Sequence, residues 1–285
     1  MAVAKTSQPK ISSQPSTTKD PPARASIIER IHKPSADLRR VGVCIYGRGG
    51  VGKTTLLGTM PGKGLIIDVP QVEGGTSVLS DKADKIEVLP VVQWNDLDEA
   101  YRHLKGGDHE YKWSAIDTIG ACQELAKRKV ISERDLNADP HTVSMQEWGK
   151  IGQLMAELFY KFRLLPMNTI LLAQEKSREL EEGGREYQPA VSPMSLEALL
   201  PPQHLVARLY VWQTQDDKGE TIWERRLRTA PHQMYLTKAR NVRGRELPPV
   251  INEPHLGQIL AYMLGEKVRP PQSARDENVL DLALE

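Results

Sequence analysis

The segment Gly47-Arg48-Gly49-Gly50-Val51-Gly52-Lys53-Thr54 has the residue types and the spacing of a phosphate-binding loop. Its glycines allow successive backbone N–H groups to turn toward a phosphate, and the short helix that opens with Thr55-Leu56-Leu57 would add its positive end. Lys53 would reach the β- and γ-phosphates, and the Thr54 hydroxyl would coordinate Mg²⁺. We therefore predict that residues 47–55 bind a nucleoside triphosphate together with Mg²⁺.

Three carboxylates could serve the metal or activate water. Asp117 ends a predicted strand, where a Mg²⁺-orienting carboxylate is expected, and its alternative role is to cap the next helix. Asp68 and Glu73 follow the second predicted strand, and the glycines at 74 and 75 permit close approach of the backbone to a ligand. We predict Glu73 as the general base and keep Asp68 second, the alternative being that both face solvent.

Three further polar side chains lie at predicted strand ends. Gln174 could sense the γ-phosphate by hydrogen bonding, or it could simply be a polar strand end. Lys238 and Arg240 lie on the same side of an extended chain. They would complete the active site of a neighbouring subunit as trans-acting cations, unless they are a solvated strand end.

The elements between these residues alternate between strand and helix, which predicts an α/β fold with a mainly parallel central sheet and helices on both faces. The predicted strands are 41–46, 64–68, 86–89, 112–117 and 168–174, and the predicted helices include 97–104 and 145–164. Asp216-Asp217-Lys218-Gly219 is a turn sequence between 206–213 and 221–228, so a β-hairpin is expected near the C-terminal end. Residues 233–238 are predicted to add one more strand.

Composition divides the chain into three parts. Residues 1–38 are predicted to be a disordered basic arm, either solvated or in contact with DNA; residues 39–267 form the ATPase domain; and residues 268–285 form an acidic tail. The formal net charge of +1 argues against a uniformly basic nucleic-acid coat. Cys44 and Cys122 have no metal or disulfide spacing and are expected to be buried. Without a bilayer-length apolar run or a secretion signal, we expect a cytoplasmic protein that does not enter the membrane.

Taken together, these motifs make the chain resemble the phage-encoded RecA-like ATPases, AAA-type ATP-binding proteins of the single-strand annealing and recombination group. The resemblance covers roughly residues 40–265 and is carried by the phosphate loop, Asp68 with Glu73-Gly74-Gly75, Ile116-Asp117-Thr118, Gln146-Glu147-Trp148-Gly149-Lys150-Ile151, Ala173-Gln174-Glu175-Lys176 and Lys238-Ala239-Arg240. It implies a RecA-like core, ATP with Mg²⁺ and a homo-oligomer in the form of a ring or filament. It also implies action on single-stranded DNA, with a single-strand-binding or replication protein as a partner, in a phage-infected or prophage-bearing bacterial host.

The resemblance further implies that loops following central strands contact DNA. These would be the segment from Lys127 to His141 and the segment from Lys176 to Gln203. The residues expected to provide phosphate contacts or a stacking platform are Lys127, Arg128, Lys129, Arg178, Arg185 and Tyr187. The alternative is a solvated loop, because acidic residues in the second segment would oppose phosphate binding.

Two other interpretations of the loop stay open. Arg48 and the glycines after it resemble the deviant loop of partition-type ATPases, which carry Lys at this position, although the helix before Asp68 is too short for that class. The second alternative is a nucleotide-gated binding module, in which ATP assembles the protein on DNA or on a partner with little hydrolysis.

Overall fold

The computed structural model describes residues 38–69, 75–134, 142–180, 183–215, 218–241 and 244–274. The strands of its sheet are β1 (Gly42–Gly47), β2 (Gly64–Asp68), β3 (Ile86–Pro90), β4 (Trp113–Asp117), β5 (Asn168–Glu179), β6 (Arg185–Pro189), β7 (Leu205–Gln215), β8 (Thr221–Arg228), β9 (Lys238–Ala239) and β10 (Val250–Asn252). The helices are α1 (Lys53–Leu57), α2 (Trp94–Gly106), α3 (Ile119–Ser132), α4 (Met145–Arg163), α5 (Pro193–Leu199) and α6 (Leu256–Met263), with a 3₁₀ helix at Gly75–Lys82.

The centre of the sheet is parallel. Its strands follow the order β10-β8-β7-β1-β5-β4-β2-β3, and the six from β7 to β3 run in one direction. Strand β8 pairs antiparallel with β7, and β10 pairs antiparallel with β8. Two short strands, β6 and β9, add antiparallel partners to β5 and β7. The predicted α/β fold with a mainly parallel sheet and a late β-hairpin is therefore confirmed.

Helices cover both faces because side chains alternate along each strand. In β1, Cys44 and Tyr46 join the core that contains residues of α2, α3, α4 and α5. Val43 and Ile45 join the opposite core, which contains residues of α1 and α6. Both cysteines are buried, as predicted, and burial raises the pKa of the Cys44 thiol to about 12.

Several boundaries differ from the predicted ones for local reasons. A capping box between Gln93 and Asp96 starts α2 at Trp94, three residues before the predicted helix. Strand β5 continues five residues past Gln174 because its outer half pairs with β6. The strand predicted at 233–238 is wrong for most of its length, since only Lys238 and Ala239 pair with β7.

Some predicted features lie outside the described residues. They are the basic arm except for Leu38, the proposed base Glu73, the Asp216-Asp217 turn residues and the tail from residue 275 onward. Among the described helices, none combines the length and the apolar character needed to span a bilayer.

Candidate functional site

The predicted phosphate loop connects β1 to α1. Gly50 and Gly52 have φ values of 79° and 95°, a region that residues with a Cβ atom rarely adopt, so these two positions need glycine. A Cβ atom at Gly49 or Gly50 would meet no other atom within 4 Å, so neither of these two glycines is required by crowding from neighbouring atoms. Helix α1 has only five residues, and its first bond runs from the Leu56 N–H to the Gly52 carbonyl.

Lys53 is held at the centre of this loop. Its ammonium donates to the carbonyls of Gly47 and Arg48, both at 2.8 Å, and to the Gln174 side-chain oxygen at 3.2 Å. The residue is 6% exposed. Burial lowers the pKa of Lys53, while the Asp117 and Glu175 carboxylates act in the opposite direction. The structure thus brings the predicted phosphate cation and the predicted γ-phosphate sensor into direct contact.

Thr54 and Asp117 also meet. The Thr54 hydroxyl donates to the Asp117 carboxylate at 2.6 Å. The predicted alternative, that Asp117 caps the next helix, is wrong, because the Thr118 side chain caps α3 by accepting from the Ala121 N–H. Burial raises the pKa of Asp117, opposed by the Thr54 hydrogen bond and the Lys53 charge.

This pair fits a magnesium site of a particular kind. A hydroxyl and a carboxylate oxygen are ligands that Mg²⁺ accepts, and the ion commonly takes only one or two protein ligands beside substrate phosphates and water. In the described ranges there is no cluster of three or more His, Cys, Asp or Glu residues able to hold a metal by itself. A metal at this site would therefore depend on phosphate oxygens as well as on Thr54 and Asp117.

Asp68 lies at the same edge of the sheet but farther from the loop. It is directly opposite Asp117 in the β2–β4 register, and Thr76 donates a hydrogen bond to its carboxylate. Burial raises the pKa of Asp68, and the neighbouring Asp117 charge raises it further. Because β2 is three strands from β1, about 14 Å lies between these two strands. Asp68 is thus placed as a neighbour of Asp117 rather than of Lys53.

Lys238 and Arg240 lie at the other end of the strands. The Lys238 ammonium donates to the Leu200 carbonyl at 2.6 Å, and the Arg240 guanidinium donates to the Pro201 carbonyl at 2.7 Å. The Arg240 N–H pairs with His204, whose own N–H pairs with Gly42 at the start of β1. Five residues of β1, about 16 Å, separate that level from the phosphate loop. These cations therefore do not join the loop of their own chain.

The predicted DNA-contact residues occupy regular elements. Placing Lys127, Arg128 and Lys129 in a loop was wrong, because α3 continues through them to Ser132. Arg178, Arg185 and Tyr187 lie on the β5–β6 hairpin rather than in an irregular loop. In that hairpin Arg178 is opposite Glu186, and Arg185 is opposite Glu179.

A buried ion pair beside the loop was not predicted as a site. Glu175, next to Gln174, accepts two hydrogen bonds from the Arg208 guanidinium, at 2.6 and 3.3 Å, and also lies 3.6 Å from Arg48. The Arg208 guanidinium is 4.1 Å from the centre of the Tyr235 ring and 5.6 Å from that of Tyr187. The sequence contains one signal for this pair: Arg208 lies within the apolar run 205–211, and a charge buried in such a run requires a partner.

Comparison with known families agrees with this geometry. A family model described as an AAA domain matches residues 39–241, more than two thirds of the chain. No curated protein matches the chain at a significant level. The matched segment contains the phosphate loop, Asp117, Gln174 and the cations at 238 and 240. The chain therefore belongs to this AAA family of P-loop NTPases, and the family indicates a nucleotide-binding ATPase.

Proposed function

We propose that this protein hydrolyses ATP in the presence of Mg²⁺ and that single-stranded DNA regulates the reaction. One observation carries the proposal: Lys53, Gln174, Thr54 and Asp117 come from three different elements and meet at the phosphate loop. A turn with no ligand would not need a buried ammonium at its centre and a half-buried carboxylate in contact with its threonine.

Each residue has a role that follows from its contacts. The loop N–H groups and Lys53 bind the phosphates, and the Gln174 side-chain amide, whose Oε1 atom accepts from Lys53, donates from its Nε2 atom to the γ-phosphate. Mg²⁺, when bound, neutralises charge on the phosphate oxygens, and Thr54 and Asp117 supply its protein ligands. Glu73 is proposed as the base that activates water, with Asp68 as the second candidate.

The trans-acting role proposed for Lys238 and Arg240 requires an oligomer. Because about 16 Å of β1 separates their level from the loop of the same chain, they could act only on a neighbouring subunit. Mixing two inactive variants tests this. Lys53→Ala lacks a working loop and Arg240→Ala lacks the cation, so a mixed oligomer should regain hydrolysis at interfaces that combine the two intact halves. Mixing Lys53→Ala with Thr54→Ala is the matched control, because both defects lie in one loop and no intact site can form.

The DNA component is supported by resemblance and by the course of β5. This strand carries Gln174 beside the loop and continues without interruption into the hairpin that bears Arg178, Arg185 and Tyr187. Because β5 connects the phosphate loop to this hairpin, a shift of Gln174 on contact with the γ-phosphate would alter the position of the hairpin that binds DNA.

The test is steady-state ATP hydrolysis with no DNA, with single-stranded DNA and with duplex DNA, using Lys53→Ala as the blank. Stimulation by single strands that is lost in Arg178→Ala with Arg185→Ala supports the proposal. Stimulation by duplex alone would favour the partition-type alternative. A rate that neither DNA changes would favour the nucleotide-gated module and a protein partner.

A further inference from the structure

We propose that Trp223 and Arg225 form the nucleoside side of the nucleotide site: Arg225 binds the phosphate next to the nucleoside, and Trp223 stacks on the base. This inference rests on the proposed function, since it concerns the same ligand. Both residues lie on β8, outside the phosphate-loop motif.

Arg225 packs directly against the phosphate loop. A Cβ atom built on Gly52 would lie 2.7 Å from the Arg225 Nε atom and 3.4 Å from its Cδ and Cζ atoms. The three nearest atoms to that position all belong to Arg225. The Arg225 guanidinium therefore packs against the phosphate loop at Gly52, the glycine that precedes Lys53.

The backbone of Arg225 is fixed by Glu253, whereas its guanidinium forms no ion pair with the described residues. The Arg225 N–H donates to the Glu253 carboxylate at 2.8 Å, and the Glu253 N–H donates to the Arg225 carbonyl at 2.8 Å. Glu253 has a φ of 40°, which is uncommon for a residue other than glycine. Among the described residues, no carboxylate forms an ion pair with the Arg225 guanidinium, whereas the next arginine along the strand, Arg226, pairs with Glu224. A guanidinium at a phosphate loop, with no carboxylate paired to it in the described part of the chain, is suited to an anionic ligand.

The order of the strands sets the direction of the ligand. Gln174 and Asp117 lie on β5 and β4, on one side of β1, while Arg225 lies on β8, on the other side. A triphosphate whose γ end meets Gln174 must extend its other end toward β7 and β8. Arg225 thus meets the phosphate next to the sugar rather than the one that is transferred to water.

Trp223 lies on the same face of β8 as Arg225. Side chains two residues apart in a strand share a face, so Trp223, Arg225 and Leu227 point to one side of β8. Leu227 is buried in the core that contains α1, which identifies that side as the one bearing the loop. Trp223 lies about 7 Å beyond Arg225 along the strand, and 66% of its surface is exposed. An exposed indole at this distance from a phosphate-binding cation is positioned to stack on a base.

The test measures the affinities of ATP, ADP and inorganic tripolyphosphate for the full-length protein by titration calorimetry. Trp223→Ala should weaken ATP and ADP roughly 5- to 100-fold and leave tripolyphosphate unchanged, because tripolyphosphate has no base to stack. Arg225→Ala should weaken ATP and ADP by about tenfold, and tripolyphosphate as well, because it removes a phosphate contact.

Trp212→Ala and Arg102→Ala are the matched controls. Trp212 lies on the opposite face of the same hairpin, beneath Arg226, and Arg102 is an exposed arginine of α2. Both should keep wild-type affinities, and melting temperatures establish that every variant is folded. Unchanged ATP affinity in folded Trp223→Ala, or an equal loss for tripolyphosphate, would overturn the inference while the proposed function stands. If the wild-type protein bound none of the three ligands, the proposed function and the inference would both be overturned.

Discussion

His204 makes the stability of this domain depend on pH. Its imidazole is 7% exposed, its Nδ1 accepts a hydrogen bond from the Gly42 N–H at 3.2 Å, and the Arg163 guanidinium lies 3.3 Å from both ring nitrogens. Burial, followed by the positive charges of Arg163, Arg240 and Lys238, lowers the pKa of His204 from 6.5 to about 4. The folded protein therefore holds this histidine neutral through the range in which an unfolded chain would protonate it.

The direction and size of the effect follow from that difference. Because the folded state binds the proton less readily, protonation stabilises the unfolded state relative to the folded one as pH falls below 6.5. The free energy of unfolding therefore decreases, and this loss is complete below about 4. At about 1.4 kcal/mol for each pKa unit, the whole effect is on the order of 3 kcal/mol. Between pH 7 and pH 5 the loss is about 2 kcal/mol, because unfolded histidine is almost fully charged at pH 5.

Urea unfolding of the wild-type protein and of His204→Gln at pH 7 and pH 5 measures this loss. Glutamine can still accept the Gly42 N–H bond but does not titrate, so the decrease in unfolding free energy between the two pH values should be about 2 kcal/mol smaller in the variant. Comparing the two decreases removes the contributions of other titrating groups. Equal decreases in both proteins would refute the assignment of a neutral, low-pKa histidine to this position.

The remaining predictions concern the site itself. Gln174→Ala should lower turnover at saturating ATP, measured by steady-state kinetics, by about 100-fold, while the affinity for ADP, measured by titration, should stay nearly unchanged. An equal fold-loss of turnover and of ADP affinity would contradict a γ-phosphate role. Asp117→Asn should weaken the Mg²⁺ dependence of ATP binding, because it removes the carboxylate and leaves Thr54 and the phosphate oxygens as ligands. Burial raises the pKa of Asp117 above the usual 3.8, so on acidification the wild-type protein should lose this Mg²⁺ dependence at a higher pH than an aspartate with the usual pKa would allow. Titrations of ATP binding with Mg²⁺ at successive pH values measure both effects. Glu175→Gln leaves the Arg208 charge buried without its partner and should reduce the unfolding free energy, measured with urea, by about 3 kcal/mol. The control is Glu157→Gln, which removes an exposed pair with Lys161 and should change the unfolding free energy by less than about 1 kcal/mol.

The parallel core could be predicted because its signals are local. Strand β2 has the predicted bounds, 64–68, since a short apolar run between glycine and a carboxylate has few other interpretations. Helix α3 also had a local signal. Its buried residues include Ile119, Cys122, Leu125, Ala126 and Val130, a helical spacing that continues past the basic residues 127–129. The resemblance predicts a loop at these three residues because it implies a DNA-contact loop after the central strand, whereas the apolar spacing indicates a helix.

The phosphate side of the site could be predicted and the nucleoside side could not. The loop motif lies within eight consecutive residues, and Asp117 and Gln174 end apolar runs that are recognisable in the sequence. Arg225 contacts Gly52 across 173 positions of the chain, and that contact depends on β7 pairing with β1 and on β8 pairing with β7. Glu175 and Arg208 likewise meet only because β5 and β7 both flank β1. Contacts set by strand order have no signature in a single sequence.

The most direct test of the account is phosphate release from ATP by the purified protein with Mg²⁺, compared with Lys53→Ala and with the same wild-type sample in excess EDTA. We predict sustained release by the wild-type protein and background release both in Lys53→Ala and in EDTA. ATP binding with no more phosphate release than Lys53→Ala, with or without DNA, would contradict the proposed hydrolysis and leave nucleotide binding alone as the function of the loop.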